Sequence, residues 1–162
     1  PWTADLSEVL RMDVSPDWVK ERWPRVTTTL ADTHFDGLRV ALVSGTQATD
    51  VTGSLTYYFD NRQTLQRVSF HGTTGDPQAL AQLLTTRFNF VKENGLGGEL
   101  YRETWFGRTK SICRLRPAGV FSATSGAARY EVLLEINRSA VRPGLSEVAK
   151  QLLETDREAQ LR

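Results

Sequence analysis

Apolar residues recurring at every second position constrain this chain more than any other feature. The pattern is cleanest where Tyr130, Val132, Leu134 and Ile136 alternate with Arg129, Glu131, Leu133 and Glu135. Successive strand side chains point to opposite faces, so this period places one set on a core and the other outside it. The same period runs through Leu38, Val40 and Leu42, and again through Leu55, Tyr57 and Phe59. Asp60-Asn61-Arg62-Gln63 supplies turn chemistry, and residues 65–71 return with Val68 and Phe70 on one face. Two more strands run over 99–106 and 109–116. A two-residue turn at Gly107-Arg108, glycine first, would pair Phe106 with Thr109, Trp105 with Lys110 and Tyr101 with Arg114. One face then carries Leu100, Phe106, Cys113 and Leu115, the other Tyr101, Trp105 and Ile112, so both faces need cover.

Helical signals separate these strands. Residues 1–32 read as helical pieces, with Asp5 or Ser7 as one cap and Ser15-Pro16-Asp17 as a sharper start. Trp18, Val19, Arg22 and Trp23 form the edge of that second helix, and Pro24 stops it. Residues 25–30 suit a strand by their β-branched threonines or a further helical turn after Pro24. Residues 45–53 read as a polar loop. Gly72-Thr73-Thr74-Gly75-Asp76-Pro77 closes a strand and opens a helix, Asp76 as N-cap and Pro77 at its first position. Leu80, Leu83, Leu84 and Phe88 share one face of it, and 95–98 is a glycine-rich connection. A last helix covers about 145–161. The expected order is α-β-β-β-α-β-β-β-α, an α+β fold in which helices pack on an antiparallel sheet of about six strands. It forms one domain over 1–162: a helical segment at 1–32, sheet and central helix at 37–138, and a C-terminal helix at 144–162. The two strand–strand–strand–helix blocks resemble a duplication in topology only.

Composition narrows the functional classes. A chain of 162 residues suits one core. Its apolar runs, such as 40–43, fall far short of the ~20 residues of a membrane helix. A net charge of +1 and a pI of 8.5, without a basic stripe, argue against a nucleic-acid partner. Cys113 is the only cysteine, so neither an intramolecular disulfide nor a thiolate metal cage forms. The chain opens at Pro1 without an initiator Met or signal peptide. That suggests a trimmed leader or anchor, and with it an envelope or exported location.

No catalytic constellation stands out, and no metal or cofactor is expected. The two histidines, His34 and His71, lie on different elements. His71 ends a strand just before Thr73, Thr74 and Asp76, so an acid–base or ligand-binding role competes with simple backbone bonding. The Gly72–Pro77 stretch carries the ingredients of an anion site at a helix start, but Asp76 competes as the cap and no P-loop lysine follows. Cys113 reads as a buried, inert thiol. Tyr57, Tyr58, Phe59, Arg67, Phe70, Tyr101, Arg102, Trp105, Arg114 and Arg116 interleave aromatics with arginines. That pattern suits base stacking or, as ordinary sheet packing, cross-strand pairs. Trp18, Trp23 and Trp105 serve either as partner contacts or as core anchors.

The segments Gly53-Ser54-Leu55-Thr56-Tyr57-Tyr58-Phe59-Asp60, Leu65 to Asp76 and Ser111 to Pro117 resemble an uncharacterised bacterial family of planctomycete type. The resemblance spans about residues 37–138. It implies attachment to, or export across, a membrane through sequence upstream, and no activity. The Tyr-Tyr-Phe-Asp hairpin is also similar to strand pairs of small envelope lipoproteins. The expected function is a non-enzymatic protein-interaction domain, with Trp18 and Trp105 as contacts. The alternative is a ligand-binding or hydrolase-like domain with a pocket near His71 and Thr73–Asp76. A sheet-face nucleic-acid binder ranks third.

Overall fold

A computed structural model describes residues 5–30, 35–45, 50–93, 98–118, 129–138 and 144–161. Eight strands form a single antiparallel sheet: β1 (Thr27–Leu30), β2 (Asp36–Val43), β3 (Val51–Phe59), β4 (Leu65–Thr74), β5 (Val91–Glu93), β6 (Glu99–Trp105), β7 (Arg108–Pro117) and β8 (Tyr130–Asn137). Their spatial order is β1-β2-β3-β4-β8-β7-β6-β5. The helices are α1 (Leu6–Val9), α2 (Pro16–Arg22), α3 (Pro77–Arg87) and α4 (Glu147–Gln160). The fold is α+β, with eight strands instead of about six and with two N-terminal helices.

The added strands have separate causes. β1 resolves the ambiguity at 25–30 in favour of the threonines: Thr27 to Leu30 pair with Arg39 to Asp36, so the 1–32 segment is not helical throughout. β5 pairs Val91 with Arg102 and Glu93 with Leu100, yet all of its residues are exposed. It is held by backbone hydrogen bonds at the sheet's edge and buries no side chain that a periodicity could reveal. The expected glycine-rich connection falls partly on residues outside those described. Each block, β1–β4 and β5–β8, is a meander followed by a helix, and the blocks meet only where β4 pairs with β8.

One face of the sheet is covered across its central strands. Leu55, Tyr57, Val68, Phe70, Leu134 and Cys113 point to it and pack with Leu10, Val19, Leu80 and Leu84 from the α1–α3 side. Asp5 and Ser15 cap α1 and α2 by accepting from the amides of Ser7 and Trp18. The Tyr57 hydroxyl donates to the Val9 carbonyl at 2.5 Å, tying α1 to the centre of β3, and burial pushes its pKa up. Trp18 sits edge-on to both Tyr57 and Trp23, and Trp23 is tilted against Tyr57, with all centroids 5.8–6.0 Å apart. On the opposite face α4 covers only part of the sheet, packing Ala149, Leu152 and Leu153 against Ile112 and Leu133. Both faces around β7 are buried, as the alternation required.

The β6–β7 hairpin corrects the expected register. Its turn residues are Phe106 and Gly107, both at positive φ (50° and 75°). Trp105 therefore pairs with Arg108, Thr104 with Thr109 and, past a bulge at Lys110, Tyr101 with Cys113. Tyr101, Cys113 and Leu115 share the α1–α3 face, and Ile112 takes the other.

Gly53 and Gly72 face each other across β3 and β4. A Cβ on Gly72 would meet the Thr52 carbonyl oxygen, the Phe70 ring at 2.6 Å and the Gly53 Cα at 2.8 Å. Gly72→Ala is therefore expected to destabilise the fold by about 1–3 kcal/mol, the range for overpacking a tight site. Urea unfolding measures this, and an unchanged midpoint would show that the two strands part easily there.

Candidate functional site

The part of the second face that α4 leaves open is polar, and strand register sets its layout in rows. One row runs Arg39–Thr56–Ser69–Glu135 across β2, β3, β4 and β8. At strand spacings of about 4.8 Å it spans roughly 14 Å. A second row carries Tyr58–Arg67–Asn137 and a third Ser54–His71–Leu133. Thr29 and Leu30 of β1 form one wall and Ser146, Glu147 and Val148 at the start of α4 the other, enclosing a cavity of 470 Å³. That volume lies within the usual ligand-pocket range of roughly 300–1,000 Å³.

One side of this floor is a closed polar network. Arg67 is 1% exposed. Its Nε donates to Asn137 Oδ1 at 2.7 Å and its Nη2 to the Gly144 carbonyl at 2.8 Å. The guanidinium lies 5.7 Å from the Phe35 ring and 5.8 Å from that of Tyr58. Glu135 Oε2 sits 3.9 Å from Arg67 Nε and accepts from Asn137 Nδ2 and the Ser146 amide. Asn137 also donates to the Lys110 carbonyl, and its amide to Ser111 Oγ. A buried charge holds only when paired and hydrogen-bonded, and this one is both.

The middle of the floor differs. Thr56 and Ser69 are 4% and 7% exposed, and both line the cavity. Among the described residues neither hydroxyl has a protein hydrogen-bond partner, and neither oxygen is sealed from solvent, so both are open to the cavity. The contacts of Glu135 with Asn137, Ser146 and Arg67 all fall on Oε2. Arg39 is exposed, and among the described residues its guanidinium makes no ion pair. His71 sits one row away. Desolvation holds its pKa below the usual histidine range; Arg39 reinforces this and Glu135 opposes it.

The remaining sequence candidates are dispersed by the same alternation. β4 continues through Thr74, so residues 72–74 are strand and not a closing loop. His71 and Thr73 consequently face the cavity side, while Thr74 is buried on the other. Thr73 Oγ1 accepts from Arg129 Nη2 at 2.9 Å. Thr74 Oγ1 accepts from the Asp76 amide, and Asp76 Oδ1 accepts from the Ala79 amide, capping α3. Thr74 and Asp76 border a separate cavity of 780 Å³ that Asp5 and Asp50 also line, a surrounding unfavourable to anions. The sheet thus divides the His71 and Thr73–Asp76 constellation between two faces. Trp18 is half-buried against Trp23 and Tyr57, with the Arg22 guanidinium 5.3 Å from its ring centroid. Trp105 is 45% and Phe106 86% exposed, their rings edge-on at 4.6 Å. Cys113 is fully buried and its thiol pKa is pushed up by burial. His34 lies outside the described residues. Tyr57, Phe59, Phe70 and Tyr101 are buried and point to the α1–α3 face, so Tyr58 alone of those β3, β4 and β6 aromatics lies on the open face.

Among the described residues, no His, Cys, Asp and Glu side chains gather to hold a metal, and no helix is long and apolar enough to cross a membrane. A model of a family of unknown function, DUF6690, matches residues 1–162, well beyond the 37–138 over which the resemblance was read. Among curated proteins and solved structures no match is found.

His71 gives the site a pH signature. Its folded pKa lies below the unfolded value of about 6.5, so the unfolded chain binds the proton more readily and stability falls as pH drops below that value. The loss levels off once pH passes below the folded pKa. His71→Gln is expected to remove this component, so the drop in melting temperature between pH 7.5 and pH 5 should be smaller in the variant. Parallel curves for both proteins would show that His71 titrates as it does in the unfolded chain.

Proposed function

We propose that this chain, which belongs to the family of unknown function DUF6690, is a binding domain for a small organic ligand held on the open face of β2, β3 and β4. The observation that carries the reading is the pair of hydroxyls of Thr56 and Ser69, open to a cavity beside Arg39, all three without a protein partner among the described residues. A fold that needed this face only for stability would fill it with apolar side chains, as α4 does over Ile112 and Leu133. Binding without chemistry fits the surroundings. His71 has no hydroxyl or carboxylate partner among the described residues, and Cys113 is sealed on the other face. Backbone amide NMR with a panel of small polar compounds should move resonances at 54–58 and 67–71 and leave α1 and α2 unmoved. Shifts confined to α1 and α2, or none at all, would sink the assignment. Thr56→Val combined with Ser69→Ala should change the stability of the free protein by no more than about 1 kcal/mol, because neither hydroxyl makes a protein hydrogen bond to lose, while abolishing those shifts.

A second reading, protein contact through the β6–β7 tip, rests on Phe106. It occupies a positive-φ position at φ 50°, where Asn or Gly is at ease and a bulky side chain costs about 1–2 kcal/mol. Strain at an exposed aromatic is a mark of a contact site. Phe106→Asn should raise stability by about 1 kcal/mol, measured by urea unfolding. An unchanged or lowered midpoint would remove the strain argument and with it this reading.

A further inference from the structure

The charge and shape of the same cavity specify the class of ligand, and we infer that it is a small aliphatic hydroxy acid. This rests on the open-face reading above and goes further by naming three recognition elements. The first is charge. Arg67 is answered by Glu135 within the closed network, and Glu147 on the wall lies 3.7 Å from Lys150 of its own helix. Arg39, at the end of the polar row, is the cation among the floor residues that no described carboxylate answers. An arginine in this position takes a carboxylate through paired N–H donors. Desolvation disfavours the charged form of His71, Glu135 opposing this and Arg39 adding to it.

The second element is hydrogen bonding set a fixed step from that charge. Thr56 lies directly opposite Arg39, and Ser69 directly opposite Thr56. Adjacent positions across paired strands lie about 5 Å apart at Cβ. A ligand whose carboxylate rests on Arg39 therefore brings a group two or three bonds away over the two hydroxyls. A hydroxyl fits both, since serine and threonine donate and accept. The third element is apolar. Val148, 60% exposed, lines the α4 wall of the cavity. It presents aliphatic surface above a polar floor, a place for the hydrocarbon body of the ligand. Neither a bare inorganic anion nor a fully hydroxylated sugar uses all three.

Three probes of one carbon skeleton separate the elements: 3-hydroxyoctanoate, octanoate and octane-1,3-diol, titrated below any micelle concentration and followed by amide NMR. The hydroxy acid should bind at the 54–58 and 67–71 positions. Octanoate should bind about 3- to 10-fold more weakly, the worth of one neutral hydrogen bond. The diol should bind at least about 10-fold more weakly, the worth of a charged one. Arg39→Gln, at an exposed position, should keep the folded amide spectrum and erase the difference between acid and diol. Thr56→Val with Ser69→Ala should erase the difference between hydroxy acid and octanoate. Equal binding of acid and diol, unchanged by Arg39→Gln, overturns the anionic class while the pocket stands. Equal binding of hydroxy acid and octanoate to the unaltered protein overturns the hydroxyl element. Failure of all three to bind at these positions overturns the class and the pocket together.

Discussion

The second face of the sheet is organised around the buried Arg67 guanidinium. It joins Asn137 across the β4–β8 pairing, reaches the Gly144 carbonyl just before α4, and lies against Glu135, which accepts from the amide that begins that helix. Removing any one partner would strand a charge in a nearly dry environment, which costs far more than the pair contributes. The network is thus better understood as a positional device than as a source of net stability. It fixes where α4 starts and how far it covers the sheet, and so leaves β2–β4 uncovered. Polar strand positions become a floor because Arg67 holds the wall beside them.

The two faces divide the labour. The α1–α3 face is built mostly from Leu, Val and aromatic residues, with the Tyr57 hydroxyl bonded to Val9 as a deep polar tie. It absorbs Trp18 and Trp23, residues whose chemistry would equally suit an exposed contact. The other face tolerates hydroxyls and charges at positions more than nine-tenths buried. That contrast within one sheet is an argument for function, since sequences violate local packing rules where a site requires it.

Much of the architecture was legible from alternation alone. Leu55, Tyr57 and Phe59 fell on the core side as their period demanded, and Asp76 and Ser15 capped the helices they announced. The misses have physical causes. β5 buries nothing, so its Val-Lys-Glu carries no signal. The Phe106-Gly107 turn hid behind a bulky residue where sequence reasoning expects Asn, and the bulge at Lys110 then shifted the register. The site was least visible. Thr56, Ser69 and Glu135 read as solvent-side alternates of three separate strands. Only the spatial order, with β8 beside β4, aligns them into one row, and no local pattern in the chain encodes that order. The alternation did contain a warning: His71 and Thr74 differ by an odd number of positions, so a continuous strand must send them to opposite faces.

The β4–β8 pairing has a kinetic consequence. Every other neighbouring pair in the sheet joins strands consecutive in sequence, whereas Arg67 and Asn137 are 70 residues apart. Two local meanders can therefore gather early, and closing the large loop between them is the slow, entropically opposed step of folding. The Ser69–Glu135 half of the cavity floor comes into existence only at that step. A chain arrested with both meanders formed would hold most of its strands and none of its completed binding floor, so ligand capture would report that the two halves of the sheet have closed.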